Sequence, residues 1–253
     1  MQDNLKNNAY IPLMKHLEKH AVRMQVHKSV LNFSHAAKSV SFSIIGEEPL
    51  LGSGSEIAVI HSDQLIRVPE KIASTILSKL HLNKTVFARN CEVKQVEKNK
   101  AVDFLEQYHI MQSTGSAYNL GLFYKAELIA LCTFSKGRRM NRLPEHQRSF
   151  ELIRFCCKSG ITVTGGLTKL LKHFCEVKQA GDIMTYIDKQ VSDGQSFIKA
   201  GFKKHSETEP NYFLVNRLTY ERIPAFKEEK FERKKFYLSH NAGNIKLIYT
   251  PLG

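Results

Sequence analysis

Two adjacent glycines at the start of a predicted helix form the first candidate binding site. Gly165 and Gly166 follow a strand-like run and a loop, and they precede a helical pattern of apolar residues. Glycines let backbone N–H groups approach an anion closely, and a helix N-terminus favours negative charge. Thr168 can add a hydroxyl and Lys169 a positive charge. The segment therefore predicts a phosphate site, with an ordinary turn as the alternative, and it lacks the P-loop pattern of nucleotide-binding proteins.

Two carboxylates could supply the general base that a group transfer needs. Glu151 and Asp188 lie on successive predicted strands, and we expect them at neighbouring positions of a parallel sheet. Ligands bind at the strand ends of such sheets, so either carboxylate could act as the base. Arg154 should lie on the opposite face of its strand from Glu151. Imidazoles exchange protons near neutral pH, so His109 is a further acid–base candidate, and Tyr186 is a candidate proton donor. Structural roles are the alternatives for these residues.

Basic residues favour a polyanionic partner. Lys and Arg outnumber Asp and Glu by 37 to 24, which gives a formal net charge of +13. A predicted loop, residues 135–148, carries four arginines that could contact phosphates, with a hydrated surface loop as the alternative. They are Arg138, Arg139, Arg142 and Arg148. Residues 220–237 are also rich in lysine and predict an exposed basic tail or helix. Nucleic acid is therefore the expected partner.

The elements that must position these residues alternate from about residue 85 onward. The sequence predicts a short helix, a hairpin, and then strands and helices in the order β-α-β-α-β, which indicates an α/β (α+β) fold. The short helix covers residues 102–108 and the hairpin covers residues 119–134. The later strands cover residues 150–157, 183–188 and 212–217, and the later helices begin at residue 165 and cover residues 196–200.

The N-terminal part predicts a small α/β domain of residues 1–84, followed by a second domain of residues 85–253. Its predicted elements are a helix at 10–24, strands at 40–45 and 56–61, and a helix at 69–80. A hydrophobic content of 42% excludes a disordered chain. The sequence shows no signal peptide and no apolar span, so a cytoplasmic location is expected. Five cysteines without a C-x-x-C pair predict neither disulfides nor a metal site.

The second domain resembles the GNAT superfamily of acyltransferases. Residues 190–202, which end in Gly201 and Phe202, correspond to a segment that is typical of that superfamily. Within the superfamily, the chain most resembles phage Mom-like DNA-modification proteins. The resemblance covers roughly residues 86–250. It rests on residues 104–109, the hairpin 120–134, residues 151–154, the glycine turn, residues 185–188, residues 201–202 and residues 210–212.

The resemblance implies a GNAT-like mixed, splayed sheet with helices, in which the fourth strand and the following helix cradle the pyrophosphate of an acyl-CoA. It implies acetyl-CoA or a related acyl-CoA as the donor and DNA as the acceptor, with base modification that protects phage DNA from restriction. Asp188 is the carboxylate that matches the family's strand end. Phe197 stands where many of these enzymes carry a tyrosine that acts as general acid, so this sequence departs from the pattern there.

Two other function classes are consistent with the sequence. Residues 57–91 resemble the region that precedes this domain in phage homing-endonuclease-like proteins, but Glu56, Ile57 and Ala58 lack the lysine of a metal-dependent nuclease site. A DNA-binding protein built on a decayed GNAT fold is the other alternative. An open cleft beside Gly165 and Gly166, between splayed strands, would favour the transferase.

Overall fold

The computed structural model describes residues 2–46, 58–227 and 230–251, and the chain in it forms two compact units. Each unit is built from three stretches of chain. The first unit contains Met1–Leu82, Asp188–Asp193 and Thr208–Asn244, and the second contains Asn83–Ile187, Gly194–Glu207 and Ile245–Gly253. The predicted division at residue 84 into separately folding domains stays a prediction.

Helices and strands are numbered here along the chain. The helices are α1 (Gln2–Glu18), α2 (Ser62–Arg67), α3 (Pro69–Lys79), α4 (Lys98–Tyr108), α5 (Gly166–Lys178) and α6 (Gln195–Lys199). The strands are β1 (Arg23–His27), β2 (Val30–His35), β3 (Lys38–Ile45), β4 (Ala58–His61), β5 (Lys84–Phe87), β6 (Glu92–Gln95), β7 (Tyr118–Tyr124), β8 (Glu127–Phe134), β9 (Arg148–Cys157), β10 (Ile161–Thr164), β11 (Ala180–Asp188), β12 (Lys203–Glu207), β13 (Tyr212–Asn216), β14 (Arg222–Ala225), β15 (Phe236–His240) and β16 (Asn244–Tyr249).

The first unit contains a four-stranded sheet in the order β1-β2-β3-β4, with α1, α2 and α3 packed on one another. Helix α1 ends at Glu18, six residues before the predicted end at Met24. The chain turns at Ala21, whose φ is +52°, and β1 begins at Arg23. Of the predicted strand 56–61, residues 56 and 57 lie outside the described part of the chain.

A buried ion pair joins distant stretches of the first unit. Arg222 donates from Nε and Nη2 to the two carboxylate oxygens of Asp63, at 2.6 and 2.9 Å. His61 Nε2 lies 3.2 Å from Gln190 Oε1. The pKa of His61 is lowered, mainly because the imidazole is buried. A buried charge or ring nitrogen is costly without a polar partner. These contacts therefore hold residues 188–193 and β14 against the N-terminal stretch of the first unit.

A three-stranded antiparallel sheet, β14-β13-β15, completes the first unit. Two predictions differ here. The strand over residues 212–217 was expected to complete the central sheet, but it pairs with β14 and β15 instead. The basic tail or helix expected over residues 220–237 contains β14 and the start of β15. Short apolar runs look alike in sequence, and only pairing decides which sheet each one joins.

The second unit is built around a seven-stranded sheet in the order β12-β16-β11-β9-β8-β7-β6. Its central strands β9 and β11 are parallel, whereas β6 to β9 pair antiparallel. The predicted fold class, a mixed sheet with helices, is confirmed. Strand β10 lies in the segment that was predicted as a loop before the glycines, and it pairs parallel with β5.

Helices cover both faces of this sheet. Helix α5 buries the four apolar residues that its helical spacing predicted, Leu167, Leu170, Leu171 and Phe174, in a core where Phe174 stacks on Phe134 at 3.8 Å. Helix α4 packs in a separate cluster that includes Leu131 of β8. Side chains alternate along a strand, so Leu131 and its neighbour Cys132, which belongs to the α5 core, point to opposite faces. No helix in the described part of the chain is long and apolar enough to cross a membrane.

Candidate active site

The two central strands stop pairing half-way along their length. Strands β9 and β11 pair from Arg148 and Ala180 up to Glu151 and Met184. Beyond that point β9 continues to Cys157 beside β8, and β11 continues to Asp188. The hydroxyl of Thr185 donates to the Leu152 carbonyl at 2.9 Å, so a side chain replaces the backbone ladder where the strands separate. The sheet therefore opens between β9 and β11 directly after Glu151.

Helix α5 begins at the carboxyl end of β9, after the short strand β10. Gly165 precedes it with φ +75°, a left-handed conformation that suits glycine, and it is exposed. No side chain caps this end, and the first helical hydrogen bond runs from Lys169 N to Gly165 O at 3.0 Å. The N–H groups of residues 166–168 precede that donor and have no intrahelical acceptor. This end of the helix is thus suited to an anion.

Two of the four residues predicted to bind the cofactor have contacts inside the protein. Lys169 Nζ donates to the carbonyls of Ala88 and Cys91, at 3.0 and 2.6 Å, so its ammonium is directed at the turn after β5. A Cβ atom on Gly166 would lie 3.1 Å from Val163 Cβ and 3.2 Å from Leu122 Cδ1. Gly166 is therefore also required for close packing, and a valine there would disturb the fold. Gly165, Thr168 and the backbone N–H groups remain at the helix end.

Glu151 lies at the point where β9 and β11 separate. Its side chain is 31% exposed, and its Oε2 lies 3.6 Å from Nη2 of Arg138. The hydroxyl of Ser135 accepts a hydrogen bond from Glu151 N at 2.9 Å, which fixes the backbone of the strand. A partly exposed carboxylate held on a sheet strand can take a proton from a bound group.

A β-bulge brings Arg154 onto the same face as Glu151. Strand β8 pairs Thr133 with Arg154 and Phe134 with Leu152, so Ile153 is an extra residue on β9. The extra residue shifts the alternation of side chains by one position, and the expectation that Arg154 lies opposite Glu151 is therefore wrong. Burial lowers the pKa of the Arg154 guanidinium, and the charge of Glu151 raises it.

Asp188 is farther along β11 than the sequence predicted. The residue that pairs with Glu151 is Met184, and Asp188 follows it by four residues, about 13 Å along a strand. Each carboxylate oxygen of Asp188 accepts a hydrogen bond, from Gln190 N at 2.8 Å and from Asn241 Nδ2 at 2.9 Å. Asp188 therefore holds the turn that follows β11, and its catalytic role stays a prediction.

The other two predicted catalytic residues lie on different elements. His109 follows the last residue of α4, and its Nδ1 accepts a hydrogen bond from Met111 N at 3.1 Å. Tyr186 lies on the part of β11 beyond the paired region, is 42% exposed, and has Lys246 Nζ at 5.9 Å from its ring centroid. Their catalytic roles stay predictions.

The four loop arginines all have partners within the protein. Arg142 donates from Nε and Nη2 to Oδ2 of Asp182, at 3.0 and 2.6 Å. Arg148 donates to the carbonyls of residues 145 and 147, at 2.6 and 2.9 Å. Arg139 pairs with exposed Glu145, and Arg138 lies near Glu151. Arg142 is consequently a structural residue, whereas Arg138 and Arg139 keep exposed side chains in weak surface pairs.

We expect Arg142→Ala to lower the free energy of unfolding by about 3 kcal/mol, because it leaves a buried carboxylate without its cation. Asp182 is 3% exposed, and its Oδ1 has no partner among the described residues. Urea unfolding followed by circular dichroism measures the change. Arg139→Ala is the matched control, since that pair is exposed and should change stability by less than about 1 kcal/mol. Equal losses of unfolding free energy in the two variants would contradict a stabilising ion pair between Arg142 and Asp182.

Two polar residues near the site were missed from the sequence. Asp182 and Thr133 are both buried, and each sits inside an apolar strand. A lone polar residue within an apolar strand run was the available signal, because burial of a polar group is costly without a structural or functional partner. Among the described residues, no group of three or more His, Cys, Asp or Glu side chains could hold a metal ion.

Comparison with known proteins gives structural likeness only. No protein-family model and no curated protein sequence matches the chain. An acetyltransferase from Bacillus subtilis solved with CoA is 14% identical, with 64% of this chain and 99% of that chain covered and a TM-score of 0.41. A GNAT-family acetyltransferase from Elizabethkingia anophelis with acetyl-CoA bound is 16% identical, with 64% and 99% covered and a TM-score of 0.40. A ribosomal-protein-S5-alanine acetyltransferase from Vibrio fischeri is 11% identical, with 64% and 93% covered and a TM-score of 0.39. Likeness at this level carries no argument about function, which depends here on the site itself.

Proposed function

We propose that the second unit is an acyltransferase of GNAT type that uses acetyl-CoA or a related acyl-CoA. One observation carries the proposal: β9 and β11 stop pairing at Glu151 and Met184, and the same strand β9 leads to the uncapped, glycine-initiated end of α5. β9 is the fourth strand of the seven-stranded sheet in chain order. The fourth strand and the helix after it form the donor site that the resemblance to GNAT enzymes implies.

The residues present fit such a donor. The N–H groups of residues 166–168 and the hydroxyl of Thr168 are suited to its phosphates. The edges of β9 and β11 that face each other beyond Glu151 are free of mutual pairing, so their peptide groups can bind the amides of an extended chain, as in strand addition. When bound, the acyl-CoA supplies an activated thioester carbonyl.

Glu151 is proposed as the general base. It removes a proton from the acceptor amine as the nitrogen forms its bond to the acyl carbon, and the carbon–sulfur bond then breaks. Phe197 on α6 packs edge-on against Phe202, with ring centroids 5.7 Å apart, and it has no hydroxyl. Phe197 therefore cannot protonate the departing thiolate, and solvent is the proposed proton donor. Asp188, His109 and Tyr186 remain candidates that variants can test.

For the acceptor we propose a DNA base, modified in the cytoplasm of a bacterial host so that DNA is protected from restriction. The formal net charge of +13, the exposed arginines 138 and 139, and the resemblance to Mom-like proteins support this acceptor. A base inside a duplex cannot reach a catalytic carboxylate, so the enzyme must flip its target or act on unpaired DNA. In the run that lacks the lysine of a nuclease site, Glu56 and Ile57 lie outside the described residues.

Mass spectrometry of nucleosides tests the complete proposal. DNA from cells that express the wild-type protein should contain an acylated base, and DNA from cells that express Glu151→Gln should not. Calorimetry with acetyl-CoA should show binding by both proteins. If the wild-type protein binds no CoA ester, the acyltransferase proposal fails; if it binds one but leaves DNA unmodified, only the acceptor is wrong.

Replacing Arg138 and Arg139 together by alanine should weaken DNA binding across sequences. Each phosphate contact contributes roughly 0.9 to the slope of log K against log salt concentration, so the slope should fall by about 2. Fluorescence anisotropy at several salt concentrations measures it. Lys98→Ala with Lys172→Ala, two exposed lysines on α4 and α5, is the control of equal charge. An unchanged slope in the arginine variant would remove the loop from the DNA interface.

A further inference from the structure

A row of polar residues crosses three strands of the central sheet. Asn119 on β7 pairs with Thr133 on β8, and Thr133 pairs with Arg154 on β9. Asn119 and Thr133 are 7% and 0% exposed. The row lies on the face that α4 covers, because Thr133 and Leu131 are two residues apart on β8. Buried polar groups on an apolar face carry a desolvation cost, so this row calls for a physical reason.

Arg154 is only partly paired within the protein. Its Nε donates to the Gln112 carbonyl at 3.3 Å, and its Nη1 donates to the carbonyl of the adjacent residue, Ile153, at 3.0 Å. Within the described part of the chain, no carboxylate lies within ion-pair distance of Arg154, and Nη2 has no acceptor. A guanidinium offers five N–H donors in a planar fork, and a half-buried one normally meets a carboxylate or phosphate.

Thr133 provides an independent observation. Its Oγ1 is buried and has no hydrogen-bond partner among the described residues. Its cross-strand neighbour Asn119 is already engaged, since Asn119 Oδ1 accepts a hydrogen bond from Ser116 Oγ at 2.7 Å. An unpaired hydroxyl therefore belongs to the cross-strand neighbour of a partly paired guanidinium, and an oxyanion could accept hydrogen bonds from both groups.

The position of the row points to the acceptor rather than to the donor. The bulge at Ile153 places Arg154 and Glu151 on one face, whereas α5, whose N-terminus is the proposed phosphate site of the donor, packs on the other face. An anion held by Arg154 would therefore lie on the side of the sheet where the base is, apart from the donor phosphates.

We propose that Arg154 and Thr133 form an oxyanion subsite that binds a phosphate or carboxylate of the acceptor and so positions the acceptor beside Glu151. The guanidinium fork binds two oxygens of the anion, and the Thr133 hydroxyl donates to one of them. As a subsite for the acceptor, it depends on the acyl-transfer function proposed above. Arg154 and Thr133 bind and orient the acceptor and take no part in the proton transfer.

Binding of matched pairs of small probes tests the subsite without any activity measurement. The pairs are 2′-deoxyadenosine 5′-monophosphate with 2′-deoxyadenosine, and N-acetylglycine with N-acetylglycinamide. Calorimetry or ligand-observed NMR compares the wild-type protein with Arg154→Gln and Arg154→Lys. We expect one anion to bind at least about 10-fold more tightly than its neutral counterpart. Arg154→Gln should lose that preference, and Arg154→Lys should keep part of it because the charge remains but the fork is lost.

Thr133→Val separates the binding role from a structural role. Removal of a buried hydroxyl without a partner should raise the Tm of the free protein, whereas the same change should weaken binding of the preferred anion about 5-fold if that hydroxyl meets the ligand. A preference for the phosphate probe identifies a nucleotide acceptor, and a preference for the carboxylate probe identifies an amino-acid-like one.

The subsite is overturned if neither anion is preferred by the wild-type protein, if Arg154→Gln binds the anion as the wild type does, or if Thr133→Val leaves its affinity unchanged. Thermal melting confirms that each variant is folded, and Arg154→Lys keeps the test valid if Arg154→Gln is not. Acetyl-CoA binding is measured on the same samples. Absence of CoA binding by the wild-type protein would contradict the acyltransferase proposal, whereas the oxyanion probes decide separately whether Arg154 and Thr133 bind an anion.

Discussion

Replacing Thr168 by glutamate should abolish detectable binding of CoA esters while the second unit stays folded. Thr168 is half-buried in the first turn of α5, beside the N–H groups proposed to hold the donor phosphates. A carboxylate there repels a phosphate by several kcal/mol at an effective dielectric constant near 20, so affinity should fall roughly 100-fold or more. The same charge interacts favourably with the helix dipole, by about 0.3–1 kcal/mol, so the free energy of unfolding should not fall.

Thr168→Gln is the matched control for this variant because it has the size of glutamate without its charge. Calorimetry with acetyl-CoA, supported by a thermal-shift titration, should show a small loss for Thr168→Gln and a complete loss for Thr168→Glu. If glutamate and glutamine bind acetyl-CoA equally well, the phosphates do not lie at the start of α5. The glycines there would then serve only the turn and the packing against Val163 and Leu122.

Glu151→Gln should lower kcat for acyl transfer about 10²- to 10⁴-fold, the range for loss of a general base. The amide keeps the size of the side chain and the backbone bond to Ser135, so binding of acetyl-CoA should stay unchanged. Stopped assays that follow release of free CoA thiol give kcat and KM, and calorimetry gives donor affinity on the same preparations.

Asp188→Asn is the informative comparison because the sequence offered both carboxylates as candidate bases. Asp188 accepts hydrogen bonds from Gln190 N and Asn241 Nδ2, which favours a structural role for this carboxylate. Its amide nitrogen would face the Asn241 donor in one orientation, so this variant should lose stability and keep most of its kcat. A large fall in kcat for Asp188→Asn with little change for Glu151→Gln would transfer the role of base to Asp188.

Local sequence patterns determined the elements around the site. The spacing of Leu167, Leu170, Leu171 and Phe174 predicts one buried helix face, and all four are buried. The hairpin of β7 and β8 was predicted because two apolar runs flank a short polar turn, where Lys125 and Ala126 have positive φ. Such features depend on neighbours within a few residues, so they can be inferred from sequence alone.

Pairing between distant strands was not available from the sequence. The pattern of residues 212–217 is that of a half-buried strand in any sheet, and the structure places it with β14 and β15. The register of β9 against β11 separates Asp188 from the level of Glu151. The extra residue Ile153 reverses the face of Arg154. A shift of one residue moves every later side chain to the other face, and the hydrogen-bonded partner strand fixes that shift.

For this protein, the sequence by itself determined the glycine-initiated helix and the mixed sheet class, and it offered Glu151 as one of two candidate bases. A positive φ at Gly165 and a helical spacing of leucines are local requirements that the residue types state directly. Only the tertiary structure decided which charges were available for binding. Lys169 donates to backbone carbonyls and Arg142 donates to Asp182. Arg154 is only partly paired, through hydrogen bonds to two carbonyls. A cation becomes a structural residue or a binding residue according to the acceptors that folding brings within about 3 Å, and those come from remote parts of the chain.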